Sequence, residues 1–173
     1  MMLAGIPLIA KGNVVPQKNI KLDADSLIQD VETYIGKNVE IEGDIIDVCP
    51  VNGKKLKLKT AKGNIIKIVP DGVNFEKFDQ SLKKQHIHVT GQVSEARVER
   101  ERILEYAKNG VVLCHIDYTH CIDAAWIDKM VTSGEAPKYI EDMTKKLTDK
   151  MQETGKNYIS VVKISATTIS ANT

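Results

Sequence analysis

The feature that most constrains the fold is a series of short segments in which apolar and polar residues alternate. Residues 55–60 read Lys-Leu-Lys-Leu-Lys-Thr, so an extended chain places the leucines on one side and the lysines on the other. Turn-forming residues bound this segment, with Val-Asn-Gly at 51–53 and Lys-Gly-Asn at 62–64. The period of two therefore predicts a half-buried β-strand between two tight turns.

The same pattern recurs through the first half of the chain. It predicts strand from Val39 to Val48, with a bend at Gly43, and again over 65–69 and 86–93. A longer bridge that contains Phe75 and Phe78 precedes the last strand. Short strands with regular turn signals and one longer connection are typical of a small barrel, so we predict that residues 37–98 form a closed, five-stranded barrel of the OB type.

Helices and one more strand flank this barrel in the predicted order. Asp23 or Asp25 can cap a helix that Gly36 ends, and Pro137 fits the first turn of a long amphipathic helix. The chain turns at Gly155 after this helix, and a β-like run begins at Tyr158 and ends near the C-terminus. The fold class is therefore mainly β with α additions: a small five-stranded OB-type barrel plus a C-terminal helical extension with a final strand.

Three regions follow from these elements. Residues 21–110 are an OB-fold domain with an N-terminal helix, and residues 111–173 are a cysteine-containing helical extension with the terminal strand. Residues 1–20 are a truncated signal peptide or a flexible arm, because their apolar start lacks the basic lead-in of a signal peptide. No later stretch approaches the roughly 20 apolar residues of a membrane helix, so we expect no integral membrane segment.

The charge of the chain is nearly balanced, so binding to nucleic acid or anionic lipid would need a local basic patch. The chain has 24 basic and 23 acidic residues, a net charge of +1, so no global field attracts nucleic acid or anionic lipid.

The chain has no nucleophile elbow, phosphate loop or dinucleotide fingerprint. We therefore predict no catalytic residues and favour a non-enzymatic protein.

The strand motifs resemble those of a known group. Residues 36–43, 47–53 and 88–93 are similar to bacterial, mostly exported OB-fold proteins of unknown function, in which a V-x-G-x-V-x-x-V-C strand precedes a Gly turn and a later V-x-V-x-G. Residues 151–158 resemble the G-K-x-Y tail of some members. The resemblance implies an OB fold and a periplasmic or otherwise exported protein, with a cytoplasmic one as the alternative. Relatives carry a second cysteine after the Gly turn, where this chain has lysines and Leu56.

The candidate site is a cysteine- and histidine-rich segment. Thiolate and imidazole are preferred ligands of zinc and other transition metals. The two cysteines of the segment lie seven residues apart, whereas structural zinc sites use closer pairs. Three interpretations stay open: a metal or cofactor site, a structural disulfide, or unpaired buried thiols. The predicted metal ligands are Cys49, Cys114, His115, His120 and Cys121, and Asp117 lies among them.

Three functions follow from these observations. The leading hypothesis is an exported OB-fold binding or accessory module whose partner is an unknown protein or a small ligand. The first alternative is a protein that binds single-stranded nucleic acid through a lysine run formed by Lys54, Lys55, Lys57, Lys59 and Lys62. This run lies on strands with which OB folds often hold oligonucleotides. Only Phe75 and Phe78 could stack on bases there. The second is a metal- or redox-dependent protein that uses the cysteine and histidine cluster.

Overall fold

A computed structural model describes residues 18–171 of the chain. The prediction of a signal peptide or flexible arm falls on residues that lie almost entirely outside this range. No helix within the described range is long and apolar enough to cross a membrane. The elements are β1 (Ile20–Lys21), α1 (Ala24–Gln29), α2 (Val31–Tyr34), β2 (Asn38–Val48), β3 (Leu56–Lys59), β4 (Ile65–Pro70), a 3-10 helix (Gln80–Leu82), β5 (His86–Glu99), α3 (Arg100–Lys108), α4 (Ala124–Thr132), α5 (Ala136–Thr154) and β6 (Tyr158–Ala171).

Five strands close into a barrel. Strands β2, β3 and β4 form an antiparallel meander, β4 pairs in parallel with β6, and β6 pairs antiparallel with β5. Strand β5 then pairs antiparallel with β2, which closes the ring, and β1 adds a short parallel strand outside it. This strand order is that of an OB barrel. The predicted fold class, mainly β with helical additions and a final C-terminal strand, is confirmed.

The barrel differs from the prediction in where its fifth strand lies. Residues 37–98 contain four strands of the barrel, and the fifth is β6. The prediction that residues 37–98 hold all five is therefore wrong. Strand β2 continues as one strand through Gly43. A Cβ atom at Gly43 would overlap the side chain of Leu58 on β3, so a larger residue does not fit there. Periodicity identified β6 as a strand, but periodicity does not say which strands it pairs with.

Alternate residues of every barrel strand point inward and form the main core. The inward positions are almost entirely aliphatic and fully buried, and helix α1 covers one opening of the barrel with Leu27. Because the side-chain period of a strand is two, the outward positions are left for lysines and acids. The inward residues are Val39, Ile41, Ile45, Leu56, Leu58, Ile66, Ile68, Ile87, Val89, Val93, Val162 and Ile164.

Helix α1 is attached to the barrel by a buried carboxylate. Asp23 is its N-cap and accepts a hydrogen bond from the backbone of Ser26. Asp25 instead lies buried and accepts hydrogen bonds from the Thr60 hydroxyl, the Asn64 amide at 2.8 Å and the Lys62 backbone at 2.9 Å. Burial alone would raise the pKa of Asp25, but these hydrogen bonds outweigh it and lower the pKa. Asp25 therefore joins α1 to the β3–β4 turn.

Residues 100–157 form a large insert between β5 and β6. Helices α3 and α5 pack around a second apolar core that continues from the ends of β5 and β6. Helix α5 begins at Ala136 with a proline in its first turn and ends at Gly155 in the left-handed conformation, as the sequence predicts. The second core comprises Val98, Ile103, Leu113, Leu147, Met151, Ile159 and Val161.

Strands β5 and β6 approach each other closely at Gly91. The pairing register between the two strands shifts between Thr90 and Gly91. A Cβ atom at Gly91 would overlap the backbone carbonyl of Ser165 and crowd the side chain of Ile164. The absence of a side chain at this position therefore allows β6 to reach β5 and complete the barrel.

We expect Gly91→Ala to lower the free energy of unfolding by about 1–3 kcal/mol, because the added methyl group forces apart two strands that are packed together. Urea unfolding followed by circular dichroism measures this loss. The control is Ser170→Ala at an exposed position of β6, which should change the stability by less than about 0.5 kcal/mol. Equal stability of Gly91→Ala and the control would contradict the close approach.

Candidate functional site

Three cysteines from two separate segments meet at one end of the barrel. Cys49 follows β2 in the loop to β3, and Cys114 and Cys121 lie in the insert between α3 and α4. Cys49 and Cys114 are buried together with Ile116, and the partly exposed Cys121 packs against them. All three cysteines lie in the described part of the chain and are free thiols. Cys49 and the segment 114–121 therefore meet, and of the three interpretations left open by the sequence the structure shows unpaired thiols.

A hairpin formed by residues 112–121 presents two of these cysteines. Leu113 and His120 form an antiparallel bridge, the Cys114 amide donates to the Thr119 carbonyl at 2.7 Å, and the Cys121 amide donates to the Val112 carbonyl at 3.0 Å. Cys114 and Cys121 are thus diagonal neighbours on one face of the hairpin. Diagonal residues lie about 7–8 Å apart, whereas the Cβ atoms of a disulfide lie about 3.8 Å apart. The hairpin therefore disfavours a direct bond between these two cysteines.

The cysteines line a pocket of about 390 Å³ between the β2–β3 loop and the insert. Apolar side chains form much of its wall: Val48, Pro50, Ile116, Ile122 and Trp126. Its charged residues balance, since Lys55 and Lys83 are matched by Asp47 and Asp123. The pocket therefore combines thiols with an apolar wall and has no net charge from its lysines and acids.

A buried carboxylate holds the hairpin on the outer face of the barrel. Asp117 is only 4% exposed and accepts hydrogen bonds from Lys55 at 3.1 Å, from Lys67 at 2.6 Å and from the Thr119 hydroxyl at 2.8 Å. Burial alone would raise the pKa of Asp117, but Lys67, Thr119 and Lys55 hold it well below its usual range. Asp117 therefore ties the insert to lysines on the β3 and β4 side of the barrel.

Lys55 connects this ion cluster to the thiols. Its ammonium lies beside Cys114 as well as Asp117. Burial alone would lower the pKa of Lys55, but Cys114 and Asp117 favour its charged form and the pKa is raised. The backbone carbonyl of Lys55 also accepts the Cys49 amide at 2.8 Å. The Lys55 ammonium is thus fixed next to Cys114, and the Lys55 backbone is bonded to that of Cys49.

A second polar cluster joins the two sides of the pocket at its rim. His115 bonds through Nε2 to Asp47, and the Lys83 ammonium donates to the same carboxylate at 2.8 Å. Burial alone would raise the pKa of Asp47, but Lys83 and His115 outweigh it and lower the pKa. The β2 end, the connection before β5 and the insert therefore meet at Asp47.

The five predicted metal ligands are only partly brought together. The three cysteines meet, but His115 is engaged by Asp47, and His120 lies exposed on the other face of the hairpin from Cys114 and Cys121. Strand alternation explains this placement, because His120 is adjacent to Cys121 and so points the opposite way. Across residues 18–171, no group of three or more His, Cys, Asp or Glu side chains is arranged to hold a metal ion.

Two aromatic residues that the sequence patterns did not mark support the site. Trp126 of α4 packs edge to face on Tyr139 of α5, with ring centroids 5.2 Å apart. The Tyr139 hydroxyl donates to the Leu113 carbonyl at 2.8 Å, and burial with the nearby Cys114 and Cys121 raises its pKa to about 12. A helical period indicates which element holds Trp126 but not that it lines a pocket, so this position could not be read from the sequence.

Two lysines of the predicted run, Lys55 and Lys57, lie beneath the insert, whereas Lys54, Lys59 and Lys62 are exposed. Lys57, Lys67 and Lys163 are direct neighbours across β3, β4 and β6. Burial and the nearby Lys146 lower the pKa of Lys57. Phe75 and Phe78 pack on each other and on the barrel core, with centroids 5.4 Å apart, so neither offers a stacking platform. The insert therefore covers part of the strand face predicted for nucleic acid.

Comparison with known proteins identifies no family. No family model matches the chain, and no curated protein matches it. A solved structure of U. maydis replication protein A bound to ssDNA is similar, with 22% sequence identity and a TM-score of 0.32. The match covers 45% of this chain and 61% of that one. The strand order itself defines the class: a protein with an OB-type barrel whose large β5–β6 insert forms a cysteine-lined pocket with the β2–β3 loop.

We expect Asp117→Asn to lower the free energy of unfolding at pH 7 by about 3 kcal/mol, since removal of the carboxylate leaves two half-buried ammonium groups without it. Lowering the pH should also reduce the free energy of unfolding of wild type more than that of this variant. Folding lowers the pKa of Asp117 below its ordinary 3.8, so its contribution is present above about pH 4 and is lost as the pH falls further. Urea unfolding between pH 7 and pH 3 measures both effects.

The control for this prediction is Asp142→Asn, which removes an exposed ion pair with Lys138 on α5. It should leave both the free energy of unfolding and its pH dependence close to those of wild type. Some acid sensitivity should persist in Asp117→Asn, because Asp25 and Asp47 also have lowered pKa values. Parallel stability curves for wild type and Asp117→Asn would contradict the buried ion cluster.

Proposed function

We propose that this protein is a non-enzymatic OB-fold binding module whose cysteine-lined pocket takes a small, uncharged and largely apolar ligand. One observation carries the proposal. The pocket of about 390 Å³ is formed by the β2–β3 loop and the β5–β6 insert, which are the two loops that OB folds use to hold their ligands. Its volume lies within the usual range of small-molecule sites, about 300–1,000 Å³.

The chemistry of the wall supports an uncharged ligand. The charged groups around the pocket are engaged with each other, Lys83 with Asp47 and Lys55 with Asp117. An ionic ligand would have to compete with these pairs, whereas an apolar one needs only the surfaces of Ile116, Ile122 and Trp126. The resemblance to bacterial exported OB-fold proteins supports a periplasmic module, and a cytoplasmic one is the alternative.

The only tryptophan of the chain, Trp126, lines the pocket and reports on its occupancy. We expect N-phenyl-1-naphthylamine, an uncharged apolar fluorophore, to bind with saturable energy transfer from Trp126. Ile122→Asp should weaken this binding at least about tenfold, because it places a charge in the apolar wall. The control is Val131→Asp on α4, outside the pocket. Both positions tolerate a charge in the fold, since Ile122 is 52% and Val131 60% exposed.

Fluorescence titration of the full chain, with far-ultraviolet circular dichroism of each variant, tests the proposal. Saturable transfer that Ile122→Asp alone weakens supports the pocket as the binding site. The proposal fails if wild type shows no saturable transfer. It also fails if the two variants weaken the binding equally, because the dye would then bind elsewhere on the apolar surface.

Single-stranded nucleic acid is the second candidate, and the lysine row across β3, β4 and β6 favours it. A phosphate backbone could follow Lys57, Lys67 and Lys163 where the insert leaves them accessible. We expect any such binding to weaken steeply with salt. A gel shift of a labelled single-stranded oligonucleotide at low and moderate salt tests it, with Lys57→Gln against the exposed helical control Lys138→Gln. No shift at low salt would exclude this candidate.

A further inference from the structure

The thiols have no role in holding an apolar ligand, yet three of them line the pocket. They come from two loops that no disulfide joins. We propose that the pocket is a site of thiol–disulfide exchange with small organic disulfides, in which Cys114 attacks the disulfide and Cys49 resolves the product. This inference rests on the proposed function only in that the pocket must admit a small uncharged molecule.

Cys114 is the attacking thiol because of what lies beside it. The attacking species in disulfide exchange is the thiolate, which a neighbouring cation stabilises. Lys55 lies beside Cys114, and the buried Asp117 and the Cys49 backbone hold it in place. The Lys55 charge also reaches Cys121, but there burial outweighs it and raises the pKa of the thiol.

Cys49 is the resolving thiol because of where the hairpin places the alternatives. Cys114 and Cys121 are diagonal in the hairpin, at a separation typical of unlinked pairs. Cys49 comes from the opposite loop and packs in the same buried cluster as Cys114. The Cys49 carbonyl accepts a hydrogen bond from Gln80 at 3.1 Å, and its amide is bonded to Lys55, so its backbone is fixed. The pairing that needs least movement of the hairpin is therefore Cys49 with Cys114.

The two steps balance without any other oxidant. The Cys114 sulfur bonds to one sulfur of the small disulfide, whose S–S bond breaks, and the released thiolate takes up the proton lost from Cys114. The Cys49 sulfur then bonds to the Cys114 sulfur, and the second small thiol leaves with the Cys49 proton. Two protein thiols are oxidised to one disulfide, and one small disulfide is reduced to two thiols. The new bond joins the β2–β3 loop to the insert across the pocket.

Bis(2-hydroxyethyl) disulfide, a small uncharged disulfide, is the probe. Fully reduced wild type in native buffer should lose two hydrogens in mass, keep no adduct, and yield a Cys49–Cys114 linked peptide with Cys121 free. Cys49→Ser should stop at one mercaptoethanol adduct on Cys114. Cys121→Ser lacks the third thiol of the pocket and should still form the Cys49–Cys114 disulfide. Intact mass and peptide mapping over time measure each product.

Several results would overturn the exchange site. They are a first adduct on Cys121, a Cys114–Cys121 link, or a native protein that stays reduced while the urea-unfolded chain reacts. Dye titration of Cys49→Ser, in which no Cys49–Cys114 bond can form, reports separately on the pocket. Dye binding without exchange overturns the exchange alone. Exchange without dye binding overturns the proposed ligand class and leaves the thiol site standing.

Discussion

The barrel closes because β6 lies between β4 and β5 and hydrogen-bonds to both, in parallel with one and antiparallel with the other. Without β6 the other four strands would form an open sheet with two unpaired edges. The closing strand also fixes where the insert must be. The insert, residues 100–157, follows the last residue of β5 and leads to the first residue of β6, and these two residues, Glu99 and Tyr158, pair with each other. The second apolar core, the hairpin and the pocket all depend on this closure.

The insert is held on the barrel by charge as well as by apolar packing. A buried carboxylate is costly unless it is paired and hydrogen-bonded, and Asp117 meets both conditions through Lys55, Lys67 and Thr119. Two lysines that would otherwise face water on an outer strand surface become attachment points for the hairpin. The same contact fixes Lys55 beside Cys114. One interaction therefore sets both the position of the insert and the electrostatics of the thiols.

Much of the fold could be predicted from local patterns, because side-chain period and capping are local properties. Strand β3 was predicted correctly from the alternation at 55–60, and α5 from the proline at its start and Gly155 at its end. The partners of β6 could not be predicted, since parallel pairing with β4 joins residues nearly a hundred positions apart. The cysteine convergence was predicted from residue type, whereas the role of Asp117 depends on two lysines that only the fold brings to it.

The position of the insert explains why the end of the barrel, and not its strand face, is the better candidate for ligand binding. OB folds hold oligonucleotides on the second and third strands and the adjoining loops. In this protein Asp117 and the hairpin engage Lys55 and Lys67 on that face, and Phe75 and Phe78 of the connection before β5 pack on the core. The loops of the same region instead enclose a pocket. Because they bring Cys49, Cys114 and Cys121 together there, the insert replaces an open, charged surface with an enclosed, apolar and thiol-bearing one.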